Sequence, residues 1–89
     1  MELRQIVGDR VRRQRMALGL SQTELAAQTA IPYQVLSRLE HGRQSLYMER
    51  LVALSRHLQV SVDYLVGLTD STALSTRRRQ AVRSSEGDR

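Results

Sequence analysis

Residues 21–43 read SQTELAAQTAIPYQVLSRLEHGR, and how this stretch divides into helices decides the fold. Ser21, followed three residues later by Glu24, has the spacing of a capping box, in which each side chain accepts a hydrogen bond from the other residue's backbone N–H. A helix therefore starts at Ser21 and carries Leu25, Ala26 and Ala27. The pattern breaks around Thr29–Ile31. Pro32, the only proline in the chain, donates no backbone hydrogen bond but is tolerated in the first turn of a helix. It opens a second short helix, running from about Pro32 to His41 and closed by Gly42. SRLE at 37–40 repeats the capping pattern inside a periodic run and is read as a chance match.

The second of these helices is two-sided. With Tyr33 at 0° and roughly 100° per residue, Val35, Leu36 and Leu39 fall at about 200°, 300° and 240°. Tyr33, Ser37, His41, Gln34 and Arg38 fall between about 0° and 140°. A face that merely meets water usually carries Lys and Glu in i,i+4 pairs. This one carries Tyr, Gln, Ser, His and Arg, with directional donors and acceptors; Gln pairs with adenine and Arg with guanine in two-pronged fashion. The polar side favours recognition over simple solvation. Two short helices joined by a break of three or four residues also have the proportions of a helix-turn-helix, whose second helix enters the major groove. Tyr33 and Gln34, at its N-terminal end, then reach base edges first.

Working outward, Leu3, Ile6, Val7 and Val11 recur at helical spacing with Arg4, Arg10, Arg12 and Arg13 interleaved. They predict an amphipathic first helix of about four turns, stopped at Gly19. Leu51, Leu54, Leu58 and Met48 define a fourth helix. Ser61 caps a fifth, with Val62 and Leu65 facing inward and Gly67 ending it. No alternating run suggests a strand. The expected fold is all-α, a compact five-helix domain over residues 1–68. Beyond it, residues 69–89 hold seven Ser/Thr and five Arg but only four small or aliphatic apolar residues. This composition predicts a disordered tail, with a helix over roughly 73–83 or a basic arm on DNA as the alternatives.

All fourteen basic residues are arginine and the net charge is +5, with a pI near 11.0. Such a balance suits a polyanionic partner, although basicity alone does not separate a nucleic-acid binder from a basic surface. Cysteine is absent, which excludes disulfides and thiolate metal sites and fits a reducing cytoplasm. No run of 18 apolar residues offers a membrane span, and the opening MELRQIVGDRVRR has no signal-peptide core. His41 and His57 lie in different helices, and no phosphate loop or nucleophile–base set appears. The chain is therefore expected not to be an enzyme, with no cofactor or metal.

GLSQTELA at 19–26, VLSRLEHGR at 35–43, MERLVALSRHLQVSVDYL at 48–65 and Arg15 upstream together resemble the lambda-repressor/Cro-like (XRE-type) helix-turn-helix family, from about Ile6 to Thr69. The resemblance implies a sequence-specific regulator of transcription, most simply a repressor that binds a palindromic operator as a homodimer, cytoplasmic and associated with a bacterial or phage nucleoid. By position it implies base reading by Tyr33, Gln34 and Arg38. It assigns backbone or groove-edge contacts to Gln22, Thr23, Val35, Ser37, Arg43 and Arg12, and a structural ion pair to Arg15 and Glu40. It places the dimer surface around Val62, Tyr64, Leu65 and Leu68. Three residues depart from the family pattern: Ala30 stands at a turn position usually held by Gly, Pro32 replaces a Ser or Thr cap, and Tyr47 stands where a small polar cap is usual. The competing reading is an antitoxin or adaptor of a toxin–antitoxin or phage system, binding a protein partner through the tail.

Overall fold

The computed structural model describes residues 2–73. Five helices follow in order: α1 (Leu3–Ala17), α2 (Gln22–Thr29), α3 (Tyr33–Glu40), α4 (Met48–Leu58) and α5 (Val62–Leu65). No strand occurs among the described residues. The capping box is formed in full: Ser21 Oγ accepts from Glu24 N at 3.0 Å, and Glu24 Oε1 accepts from Ser21 N at 2.8 Å. Ser21 thus precedes the first helical residue, and the second S-x-x-E match lies inside α3. Ser61 caps α5 in the same way, accepting from Tyr64 N at 3.0 Å. Of the tail, 74–89, and with it the expected disorder, helix or basic arm, lies outside the described residues.

One core serves all five helices. Val7 and Val11 from α1, Leu25 and Ala26 from α2, Leu36 and Leu39 from α3, Leu54 and Leu58 from α4, and Tyr64 and Leu65 from α5 are buried together with Ile31 and Val60. Each large side chain removed from water contributes about 1.5–3 kcal/mol. Ala27 lies on the exposed face of α2. Met48, expected in the core, is 78% exposed. Its place on the helix explains the error: it lies about 120° around from Leu54, while Leu51 and Leu58 lie within about 60°. In α5 the inward pair is Tyr64 and Leu65, and Val62 is only half-buried.

Every helix ends by the same device. The chain leaves through a residue with positive φ: Gly19 (73°), Ala30 (57°), Gly42 (73°), Gln59 (61°) and Gly67 (86°). The next N–H then reaches back five residues, Leu20 to Arg15, Ile31 to Ala26, Arg43 to Arg38, Val60 to Ser55 and Leu68 to Asp63, at 2.8–3.1 Å. This is the Schellman closure, normally sealed by an apolar residue at the reaching position. Leu20, Ile31, Val60 and Leu68 conform. Arg43 does not. Ala30 and Gln59 adopt the left-handed conformation with a Cβ, at a cost of roughly 1–2 kcal/mol each.

Candidate nucleic-acid interface

α3 is seated before it is displayed. Leu36 and Leu39 are buried, at 0% and 1% exposure, and Val35 is half-buried against the same core. On the opposite side Tyr33, Gln34 and Arg38 are exposed and Ser37 is half-buried. Pro32 precedes the helix at φ −56° and ψ 142°, and its carbonyl accepts the first intrahelical bond from Leu36 N at 3.0 Å. Its side chain offers no cap, as befits a residue without a polar group. His41 Nδ1 donates to Ser37 O at 2.8 Å, so this ring is turned back along its own helix at the C-terminal end.

The angle of α3 is set from beneath by a buried polar network. Glu40 Oε2 accepts from Arg15 Nε at 2.7 Å, and Glu40 Oε1 accepts from Arg15 Nη2 at 3.0 Å. Gln22 Nε2 donates to the same Oε1 at 3.0 Å, and Arg15 Nη1 donates to Leu20 O at 2.8 Å. The two ion-pair side chains are only 12% and 1% exposed. One carboxylate therefore joins α1, α2 and α3. Such a pair resists rearrangement because moving either partner strands a charge away from water.

Gly8, in the middle of α1, was not singled out from the sequence and proves decisive. A Cβ there would lie 2.2 Å from Leu39 O and 3.2 Å from Glu40 C. Only glycine lets α1 run against the backbone of α3. The sequence signal was available, since an interior glycine costs helix stability and calls for a packing reason.

The arginines of α1 divide by helical position. Taking Val11 as the buried centre, Arg15 and Gly8 lie about 40° and 60° to one side, and Arg10 about 100° to the other. The first side meets α3, and Gln5 of the same side lies against Gly42. Arg12, about 100° around on that side, stands at the flank of α1 next to α3. Arg10 faces α5 instead. Its guanidinium lies 4.5 Å from the centre of the Tyr64 ring and donates to Tyr64 O at 3.3 Å, Thr69 O at 2.9 Å and Asp70 at 2.8 Å. Arg10 is thus removed from the interleaved row of basic residues. Arg13 pairs with Asp9 at 2.9 Å and Arg4 with Glu2 at 3.6 Å. Among the described residues, Arg12, Arg38, Arg43, Arg50 and Arg56 form no ion pair. The first three belong to α3, its outgoing turn and the adjoining flank of α1, and the other two to α4.

Gln22 and Thr23 open α2, with Thr23 exposed and Gln22 half-buried where it braces Glu40. Arg43 is exposed one residue past the Gly42 turn. Of the four residues expected at a dimer surface, Tyr64 and Leu65 are in the protomer's own core at 5% and 0% exposure. Only Val62 and Leu68 retain surface. Two exposed apolar residues of α4, Met48 and Val52, were not assigned to any surface from the sequence. Tyr47, at the unusual cap position, makes no side-chain cap and carries Arg50 over its ring at 4.8 Å.

The model of the helix-turn-helix family matches residues 11–65, more than half of the chain. The chain belongs to that family, in its XRE-type branch. It is 39% identical over 77 residues, 86% of its length and all of the relative's, to an uncharacterized HTH-type transcriptional regulator of Sinorhizobium fredii. Among solved structures it is similar to the clp gene regulator ClgR of Corynebacterium glutamicum, with a TM-score of 0.71, 30% identity and coverage of 99% of this chain and 95% of that one. It is likewise similar to the restriction-modification controller protein C.AhdI of Aeromonas hydrophila, with a TM-score of 0.66, 26% identity and coverage of 70% and 94%. The protein is a transcriptional regulator with a helix-turn-helix DNA-binding fold.

Proposed function

We propose that this regulator binds a palindromic operator in double-stranded DNA as a homodimer and represses transcription, with α3 in the major groove. The observation that carries the reading is the exposed Tyr33–Gln34–Arg38 face, held at a fixed angle by the buried Arg15–Glu40–Gln22 network. Base contacts from that face supply sequence preference. Gln22, Thr23, Ser37, Val35, Arg43 and Arg12 border the backbone and supply register, and the two arginines supply salt dependence. In this reading residues 1–68 are the DNA-binding unit and 69–89 a basic extension.

A two-fold dimer of this kind places its α3 helices about 34–36 Å apart, on half-sites roughly one turn apart. With Tyr64 and Leu65 enclosed, the dimer surface draws on Val62 and Leu68 and on Met48 and Val52, one turn apart on α4. The deciding experiment is selection of bound duplexes from a random pool. A two-fold symmetric site is the expected product. A pool that stays random, or an asymmetric site bound by one protomer, would overturn the reading.

A further inference from the structure

Arg38 is exposed on the proposed reading face, and its side-chain partner lies off the helix. Its Nε donates to Gln44 Oε1 in a long hydrogen bond of 3.4 Å. Gln44 is itself held: its Nε2 donates to Ser45 O at 3.3 Å. With the amide nitrogen committed to a carbonyl, the amide oxygen is the atom left to face Arg38. Gln44 arrives there because the Gly42 turn reverses the chain, with Arg43 N bonded to Arg38 O at 2.9 Å.

We infer that Gln44 is a positioning residue for sequence preference, holding Arg38 by Nε so that its two terminal nitrogens face the base. The inference rests on the proposed groove reading of α3. An arginine reads guanine with a fork of two N–H groups, and a free guanidinium beside a duplex has phosphate oxygens as ready competitors. Anchoring Nε removes the rotamers that reach the backbone and leaves the Nη fork outward. No acidic side chain among the described residues does this for Arg38. An amide does so without placing a negative charge beside the DNA.

The test measures binding to the selected duplex and to its single-base variants for wild type, Gln44→Ala, Gln44→Glu, Arg38→Ala and the double Arg38→Ala/Gln44→Ala. Gln44→Ala is expected to lose roughly threefold to tenfold discrimination at the one base pair that Arg38→Ala also affects, with the salt slope unchanged. In the Arg38→Ala background it should lose nothing more. Gln44→Glu, which keeps the acceptor, should retain that discrimination while weakening all duplexes alike. Equal weakening of every duplex by Gln44→Ala, or the same loss in the absence of Arg38, would sink the positioning role alone. If Arg38→Ala itself leaves every base preference intact, the groove reading of Arg38 fails first and this role with it.

Discussion

Arg15 of α1 and Glu40, the last residue of α3, form a two-pronged ion pair, 2.7 and 3.0 Å long. Glu40 is 1% exposed at its side chain, so removal of either partner alone leaves a charge held away from water. Glu40→Ala leaves a buried guanidinium without its counter-charge and should cost on the order of 3–5 kcal/mol in urea unfolding. Replacing both partners by apolar residues, as in Arg15→Met with Glu40→Leu, should recover much of that loss. If Glu40→Ala unfolds at the wild-type midpoint, the network does not hold the fold.

Gly8 gives a test whose sign separates local from tertiary control. Helix propensity alone says that Gly8→Ala gains up to about 1 kcal/mol. The 2.2 Å approach of a Cβ to Leu39 O says that α1 must move off α3, a loss of about 1–3 kcal/mol or more. Thermal unfolding should show a lower Tm for Gly8→Ala and weakened binding to every duplex.

Ala30 sits at φ 57° in the turn between α2 and α3. Ala30→Gly removes the left-handed penalty, offset in part by the larger entropy of an unfolded glycine. The net expectation is a gain of roughly 0.5–1 kcal/mol, seen as a higher urea midpoint with an unchanged slope.

Two arginines on either side of the Gly42 turn should behave differently on DNA. Arg38→Ala is expected to lose about 1–3 kcal/mol on the selected duplex and to blur preference at one base pair. Arg43→Ala should weaken all sequences alike and flatten the dependence of log K on log salt by about one unit. Titrations at several salt concentrations distinguish them, and exchanged behaviours would reverse the assignment.

Arg10 offers the complementary control. Its stacking on Tyr64 and its bonds to Tyr64 and Thr69 tie α1 to α5, so Arg10→Ala should lower stability by roughly 1–3 kcal/mol. Because this side chain faces α5, the salt slope of DNA binding should stay at its wild-type value. A flattened slope would show that Arg10 reaches phosphate after all.

Local chemistry was legible in the residues themselves. Ser21 and Glu24 announce the start of α2, Pro32 the start of α3, and Gly19, Gly42 and Gly67 the ends of three helices, because caps and left-handed residues act over four or five positions. The two-sidedness of α3 follows in the same way from the spacing of Val35, Leu36 and Leu39. The ends of α2 and α4 were harder to read, since Ala30 and Gln59 hold a conformation their own preferences oppose and only the packing of Ile31 and Val60 enforces it.

What periodicity does not carry is which face of one helix meets which other helix. Met48 and Val62 are apolar at plausible spacing, yet Met48 is left exposed and Tyr64 rather than Val62 is buried in α5, because the neighbouring helices lie over other positions. Arg10 and Arg12 are two residues apart and alike in sequence, but helical geometry sends one onto α5 and leaves the other beside α3. The sequence by itself determined five helices, the starts of α2, α3 and α5, the glycine ends of α1, α3 and α5, and the two-sidedness of α3, since these depend on short-range hydrogen bonding and a fixed turn angle. Only the tertiary structure decided that Gly8 must have no side chain, that Tyr64 belongs to the core, and that Gln44 stands against Arg38, since each depends on backbone segments brought together by the packing of the whole domain.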